Sequence, residues 1–253
     1  MKKLLTIVTT ALIAISIVSC DRNDDKPNNE EIQEEIRKLP SKMIHERTHG
    51  MFFDSHEYFY DEQNRIIRIE RNHNASGGIT TQERHFTYNS EGLLVNIYDL
   101  VNNFPVTHLE NGRKVIVRQD TFWLNERGLI VRLDRQPPSG EREVREFIRD
   151  TDGRFLNSDG NFVNFAGTKI TFSNIPTMWR HVNMPEWLYY WLGLSGFPFS
   201  IFPKIGYLHQ LFIATDNQFV FEVDANNYVT RATFPTGGLG FYSYFEFEYI
   251  FAN

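Results

Sequence analysis

One cysteine among 253 residues excludes an intramolecular disulfide framework. No apolar run reaches the ~20 residues a helix needs to cross a bilayer; the main apolar stretch, Leu4 to Val18, is 15 residues long. Positive charge is scarce. Lys and Arg number 26 against 32 Asp and Glu, for a formal net charge of −6. No basic stripe offsets it, which argues against nucleic acid as a partner and against adhesion to anionic lipid. Phosphate-cradling glycine loops are lacking, and "GLSGF" around Ser195 ends in Phe197 where a nucleophile elbow needs glycine. No cofactor is therefore expected.

What is present first is Met1-Lys2-Lys3 and the short apolar stretch, the layout of a cleaved export signal. Ile17-Val18-Ser19-Cys20 resembles a bacterial lipobox, in which the thiol is acylated and becomes the first residue of the mature protein. The resemblance makes Cys20 the expected lipidation site. Asp21-Arg22-Asn23-Asp24-Asp25 is similar to the export signals of lipoproteins displayed by some Gram-negative bacteria. It implies a lipid-anchored protein of the outer membrane, on the cell surface in preference to the periplasmic face. Residues 1–19 then form the signal peptide, 20–40 a polar tether and 41–253 one domain. Loss of Lys2 and Lys3 takes the formal charge from −6 to −8.

Five segments repeat one outline: "YFYDEQNRII", "FTYNSEGLLV", "FWLNERGLIV", "FIRDTDGRFL" and "FEVDANNYVT". Each opens on an aromatic residue (Tyr58, Phe86, Phe122, Phe147, Phe221). Asp or Asn follows three positions on (Asp61, Asn89, Asn125, Asp150, Asp224), and Gly or Asn three further (Asn64, Gly92, Gly128, Gly153, Asn227). Asp or Asn at the start of a turn accepts backbone hydrogen bonds, and Gly or Asn tolerates the left-handed conformation that closes it. Each copy is one hairpin, and an isolated hairpin is marginal in water, so the copies must pair edge to edge. Further strand-like runs are "KMIHERTH", "RKVIVRQD", "TKITF", "QLFIA" and "YFEFEYIF". The expected fold is all-β: an antiparallel hairpin meander of ten to fourteen strands, curled into a barrel-like or half-open sheet.

Tyr60-Asp61 with Asn64-Arg65 resembles the YD repeat of bacterial surface proteins. From "LPSKMI" to "FEFEYIF" the chain is similar to a family of lipid-anchored bacterial proteins with a porin-like β fold and no assigned activity. Arg149 departs from the pattern, standing where an apolar side chain is expected.

The alternation stops over an insertion at about 174–206. Pro185 before Glu186 and Gly193 after Leu192 bracket an expected helix that is apolar nearly all round, and hence buried. Trp179, Trp187, Tyr190 and Trp191 either complete the core there or line a pocket for a glycan or lipid-like ligand. "HERTH" matches the His-Glu-x-x-His pattern of zinc peptidases, with His45 and His49 as ligands and Glu46 as base. That chemistry needs a helix. On a strand, which the flanking pattern favours, the two histidines stand about 13 Å apart, too far for one ion. Asp150, Asp152, Asn157 and Asp159 resemble a calcium loop without its closing glutamate, and two consecutive turns account for them better. Carboxylates such as Glu246 and Glu248 leave a glycosidase pair open without selecting one. The leading expectation is a non-enzymatic binding or scaffold module for a glycan, lipid or protein, tied to the membrane by its anchor. The alternatives are a zinc-dependent or carbohydrate-active hydrolase and a lipid carrier.

Overall fold

The computed structural model describes residues 36–47, 53–75, 78–137, 140–195, 211–214, 220–235 and 242–253. They belong to one compact unit, Ile36–Asn253. The chain enters it in β1 (Lys38–Arg47) and continues through β2 (Phe53–Tyr60), β3 (Ile66–Ala75), β4 (Gly78–Tyr88), β5 (Leu94–Tyr98) and β6 (Asn103–Leu109). Then come β7 (Lys114–Val117), β8 (Asp120–Leu124), β9 (Ile130–Arg135), β10 (Glu143–Glu146), β11 (Ile148–Arg149), β12 (Phe155–Leu156) and β13 (Thr171–Pro176). The helix α1 (Glu186–Leu194) precedes β14 (Leu211–Ala214), β15 (Val220–Val223), β16 (Val229–Pro235) and β17 (Tyr242–Phe251).

Thirteen of these strands form one antiparallel sheet in the order β10-β9-β8-β7-β6-β5-β4-β3-β2-β1-β17-β16-β15. It is a meander, except that the first strand pairs the last. The pairs β11-β12 and β13-β14 stand apart as small sheets. Among the described residues no ladder joins β10 to β15, so the sheet curls without closing: an all-β, half-open barrel with one short helix. Seventeen strands stand where ten to fourteen are expected, two of them, β11 and β12, of only two residues each. β1 begins at Lys38, and Leu39 is buried, so the sheet starts inside the stretch read as tether.

All five expected turns form. Asn64, Gly92, Gly128, Gly153 and Asn227 adopt φ of 59°, 81°, 75°, 87° and 59°, and each N–H donates to the carbonyl of its turn's Asp or Asn. Asp61 Oδ1 accepts from the N–H groups of Gln63 and Arg65, both at 3.0 Å, and its counterparts do the same. Two further turns of this kind, Asn157–Gly160 and Asn164–Gly167, lie outside the repeat as read from sequence. In both, the aromatic residue (Phe155, Phe162) stands two positions before the Asn instead of three.

A register shift precedes four of the five turns, at Phe59/Tyr60, Thr87/Tyr88, Trp123/Leu124 and Glu222/Val223. Such bulges interrupt the ladder at the start of the outgoing strand. A later strand supplies a partner from a side chain. Tyr88 Oη donates to the Ile66 carbonyl at 3.0 Å, and Tyr249 Oη to that of Val229 at 2.7 Å. A ring nitrogen of His108 bonds the Leu94 carbonyl at 2.8 Å. Arg149, the apparent misfit, donates from Nε to the Ile130 carbonyl at 2.7 Å. It fills the place of Tyr88, one residue before its turn, and performs the same task.

Side chains alternate across the sheet. In β17, Phe245 and Phe247 are buried while Glu246 and Glu248 are exposed. One run is not a single strand. "RKVIVRQD" is broken by a two-residue turn at Arg118-Gln119, between β7 and β8, where Val117 pairs Asp120. Arg118 has a φ of 56° with neither Gly nor Asn present to signal it.

The helix lies within the curve of the sheet. Trp187 approaches Phe122 of β8 (6.0 Å between centroids), Trp191 approaches Phe104 of β6 (5.7 Å), and Tyr190 stacks on Phe165 (4.3 Å). Residues Trp187 to Leu192 are all buried. The helix runs through Gly193 to Leu194, past the expected end, and Ser195 N–H caps it on the Trp191 carbonyl at 2.8 Å. Its start is fixed by an ion pair: Arg149 donates Nη1 and Nη2 to Glu186 at 3.0 and 2.8 Å, and Ile130 N–H adds a bond at 2.8 Å. Burial pushes the Glu186 carboxyl up, while Arg149 and the Ile130 N–H pull against it.

Candidate functional site

Trp179, Trp187, Tyr190 and Trp191 come together in the core, each at most 2% exposed. Their faces are taken up by neighbours, as where the Trp179 ring meets the edge of Tyr58 at 5.0 Å. Trp187 still borders a cleft of about 540 Å³ at the turn end, beside Arg65, Tyr88 and Glu186, and Trp191 borders another at the opposite end.

His45 sits on β1, buried and stacked on Phe245 at 4.2 Å, and Glu46 is exposed. His49 lies outside the described residues. Among the described residues no group of three His, Cys, Asp or Glu is placed to hold a metal. Asp150 and Asp152 pair with Arg154 at 2.6 and 2.7 Å, and Asn157 accepts from the backbone of Asp159 and Asn161 as turn residues do. Asp159 lies in that same turn. Glu246 stands 3.8 Å from Arg231, on the exposed side of its strand with Glu248.

The concave face carries a polar layer that the sequence does not announce. Register places His45 opposite Asp54 and Asp54 opposite His73, with Met43, His56 and Arg71 one step down. Asp54 accepts from Arg71 Nε and Nη2 at 2.9 and 2.8 Å, and His56 Nε2 stands 3.2 Å from its Oδ1. Burial pushes the Asp54 carboxyl up, but His56 and Arg71 together outweigh it and hold its pKa down at about 2. Burial pushes the His56 ring down, with the charges of Arg71 and His73 acting the same way and Asp54 opposing.

Both shifts act in one direction on stability. Each folded-state pKa lies below the unfolded one, so each contribution is present above the unfolded pKa and lost as pH falls. From 3.8 to about 2, Asp54 supplies roughly 2 kcal/mol at neutral pH. Chemical denaturation should show stability declining from pH 6.5 downward through His56 and more steeply between pH 4 and 2 through Asp54. Asp54→Asn should flatten the lower limb; an unchanged limb would mean that another carboxylate carries it.

Further round the same end of the sheet, Arg84, Asp99, Arg118, Asp120 and Arg135 surround the last turn of α1. Arg84 Nη1 donates to Ser195 Oγ at 3.3 Å, and Arg135 Nη2 to the Leu194 carbonyl at 2.9 Å. Arg84 and Asp99 approach to 3.6 Å, as do Arg135 and Asp120. Burial draws the Arg84 guanidinium down to about 10 against the pull of Asp99, and it raises the Asp120 carboxyl. A cleft of about 310 Å³ runs along Thr81–Arg84 and Asp99–Asn102 to Ser195. A second, of about 290 Å³, starts at Ser195 and passes Trp191, Arg135, Asp120 and Arg118. A third, of about 500 Å³, shares Arg118 and spreads over Val101–Pro105. Ser195 is shared by the first and second and Arg118 by the second and third, so the clefts adjoin in one region, the third largely on the outer face of the sheet, where Pro105, Thr107 and Ile116 alternate with buried neighbours. No sequence motif marks it, since its members come from five strands and a helix end.

No protein-family model matches the chain, and no curated protein matches it. Among solved structures it is similar to a porin-like protein from Bacteroides uniformis, with 13% identity and a TM-score of 0.45 over 83% of this chain and 98% of that one.

Proposed function

We propose that this chain is a lipid-anchored bacterial surface or outer-membrane protein that acts as a non-enzymatic binding module, its ligand entering at the polar end of the half-open sheet. One observation carries the binding reading. The helix packs the middle of the sheet solidly with aromatic rings, whereas the end beyond Ser195 offers adjoining clefts lined by charged groups. Convergent polar groups over an apolar floor are what small-ligand sites use. The anchor rests on Ile17-Val18-Ser19-Cys20, and the surface location on the acidic residues after it.

The test is a panel of glycans, lipids and peptides against the full chain. At least one class should raise the melting temperature and protect amides within residues 81–84, 99–105 and 116–120 from exchange. A panel that moves nothing, or protection confined to the turn end, would overturn the reading. Independently, Cys20→Ser should release the protein from the membrane fraction of a Gram-negative host; retention there would refute the anchor.

A further inference from the structure

We infer that the joined clefts around Ser195 bind the acid group of an amphiphilic anion, a carboxylate or a phosphate borne on an apolar frame; this rests on the binding reading above and specifies its ligand.

Three guanidinium groups, Arg84, Arg118 and Arg135, face two carboxylates, Asp99 and Asp120, in a chain whose overall charge is −6. The local excess is therefore cationic against the trend of the molecule. The remaining cleft carboxylate, Glu83, is engaged by His85 at 3.0 Å and Arg68 at 3.8 Å. Asp99 is itself committed, its Oδ1 accepting from the N–H groups of Val101 and Asn102 at 2.9 and 2.7 Å. The Arg135–Asp120 pair stands at 3.6 Å through Nε, beyond good hydrogen-bond length, which leaves the Arg135 Nε–H for a ligand.

Arg118 is the decisive member. It is exposed, lines two of the clefts, and lies over the Phe104 ring at 4.9 Å, with no hydrogen bond or ion pair to any described residue. Its five donors suit bidentate recognition of an oxyanion. It also occupies the first position of a two-residue hairpin turn at φ 56°, where glycine is the favoured residue. A strained residue that holds a donor over a cleft points to use of that donor. On the cleft floor, Trp191 Nε1 is buried and, among the described residues, its polar neighbour is the Asp120 carboxylate.

The apolar part of the ligand has its own counterpart. Leu100 and Val101, at the tip of the β5–β6 turn, are 86% and 89% exposed. Both line the first cleft, and Val101 the third as well. Two aliphatic side chains displayed beside Arg84 and Arg118 fit a molecule with an acid at one end and hydrocarbon behind it.

The experiment titrates the full chain carrying Cys20→Ser, by calorimetry, with octanoate and octyl phosphate below their micelle concentrations. Octyl glucoside, acetate and inorganic phosphate serve as controls. At least one acidic octyl probe should bind saturably and at least tenfold more tightly than octyl glucoside, and which one does so assigns the acid as carboxylate or phosphate. Arg118→Gln should weaken that binding at least tenfold. Arg118→Gly should do the same while raising the melting temperature, which separates loss of the donor from loss of the fold. Octyl glucoside binding as well as the acids, or affinity unchanged in both Arg118 variants, would overturn the inference and leave the binding reading standing. Failure of every probe here and of every class in the wider panel would remove both.

Discussion

Glu186→Ala is expected to cost about 3–5 kcal/mol of folding stability, the range for removing one partner of a buried ion pair. The Arg149 side chain is 6% exposed and that of Glu186 11%, and two hydrogen bonds join them. Without the carboxylate, Arg149 keeps the carbonyls of Ile130 and Gly153 but holds an uncompensated charge, and the Ile130 N–H loses its acceptor. Arg149→Met should fall in the same range, whereas Arg149→Met with Glu186→Leu should cost less than either single change, because no charge is then left buried. Guanidinium denaturation of the wild type, Glu186→Leu, Arg149→Met and the double variant closes the cycle. Single variants that each cost under about 1 kcal/mol would mean that the pair is solvated and that α1 is held by packing alone.

Trp187→Ala should remove a further about 3–5 kcal/mol, through lost apolar burial and the cavity left behind. Its ring, 2% exposed, approaches Phe122 and His108 within the curve of the sheet. The melting temperature should fall by roughly 10 °C, given 2–4 °C per kcal/mol for a chain of this size. A folded variant with near-native stability would show that Trp187 is dispensable for packing, and would return it to consideration as a ligand contact through the cleft that it borders.

The hairpins were legible because each is decided within about six residues: one Asx acceptor, one left-handed position, one aromatic residue. Strand partners follow from chain order, so most of the meander was legible too. What escaped reading depends on register. Arg149 looked like an error in an apolar column, yet Tyr60 and Tyr88 in that column donate to backbone carbonyls of neighbouring strands, and Arg149 Nε does the same. The turn at Arg118-Gln119 was hidden because its left-handed residue is an arginine. Asp54-x-His56 and Arg71-x-His73 have the alternation of a solvent-facing surface, and only the curl of the sheet turns them inward. Gly193 suggested a helix end, but nothing in the backbone requires left-handed geometry there and the helix continues to Leu194.

The pairing of β1 with β17 sets an order of events during synthesis. Every other ladder of the main sheet joins strands adjacent in the chain, whereas His45 must wait for Phe245. Until the final residues emerge, β1 presents a bare edge, and bare edges recruit whatever strand arrives. A nascent chain stalled near residue 240 would thus be complete in its hairpins and sticky along one side. Closure of that seam, the ladder of longest sequence separation, is the natural slow step of folding. A copy shortened at its C-terminus should aggregate even though nearly all of its local structure can form.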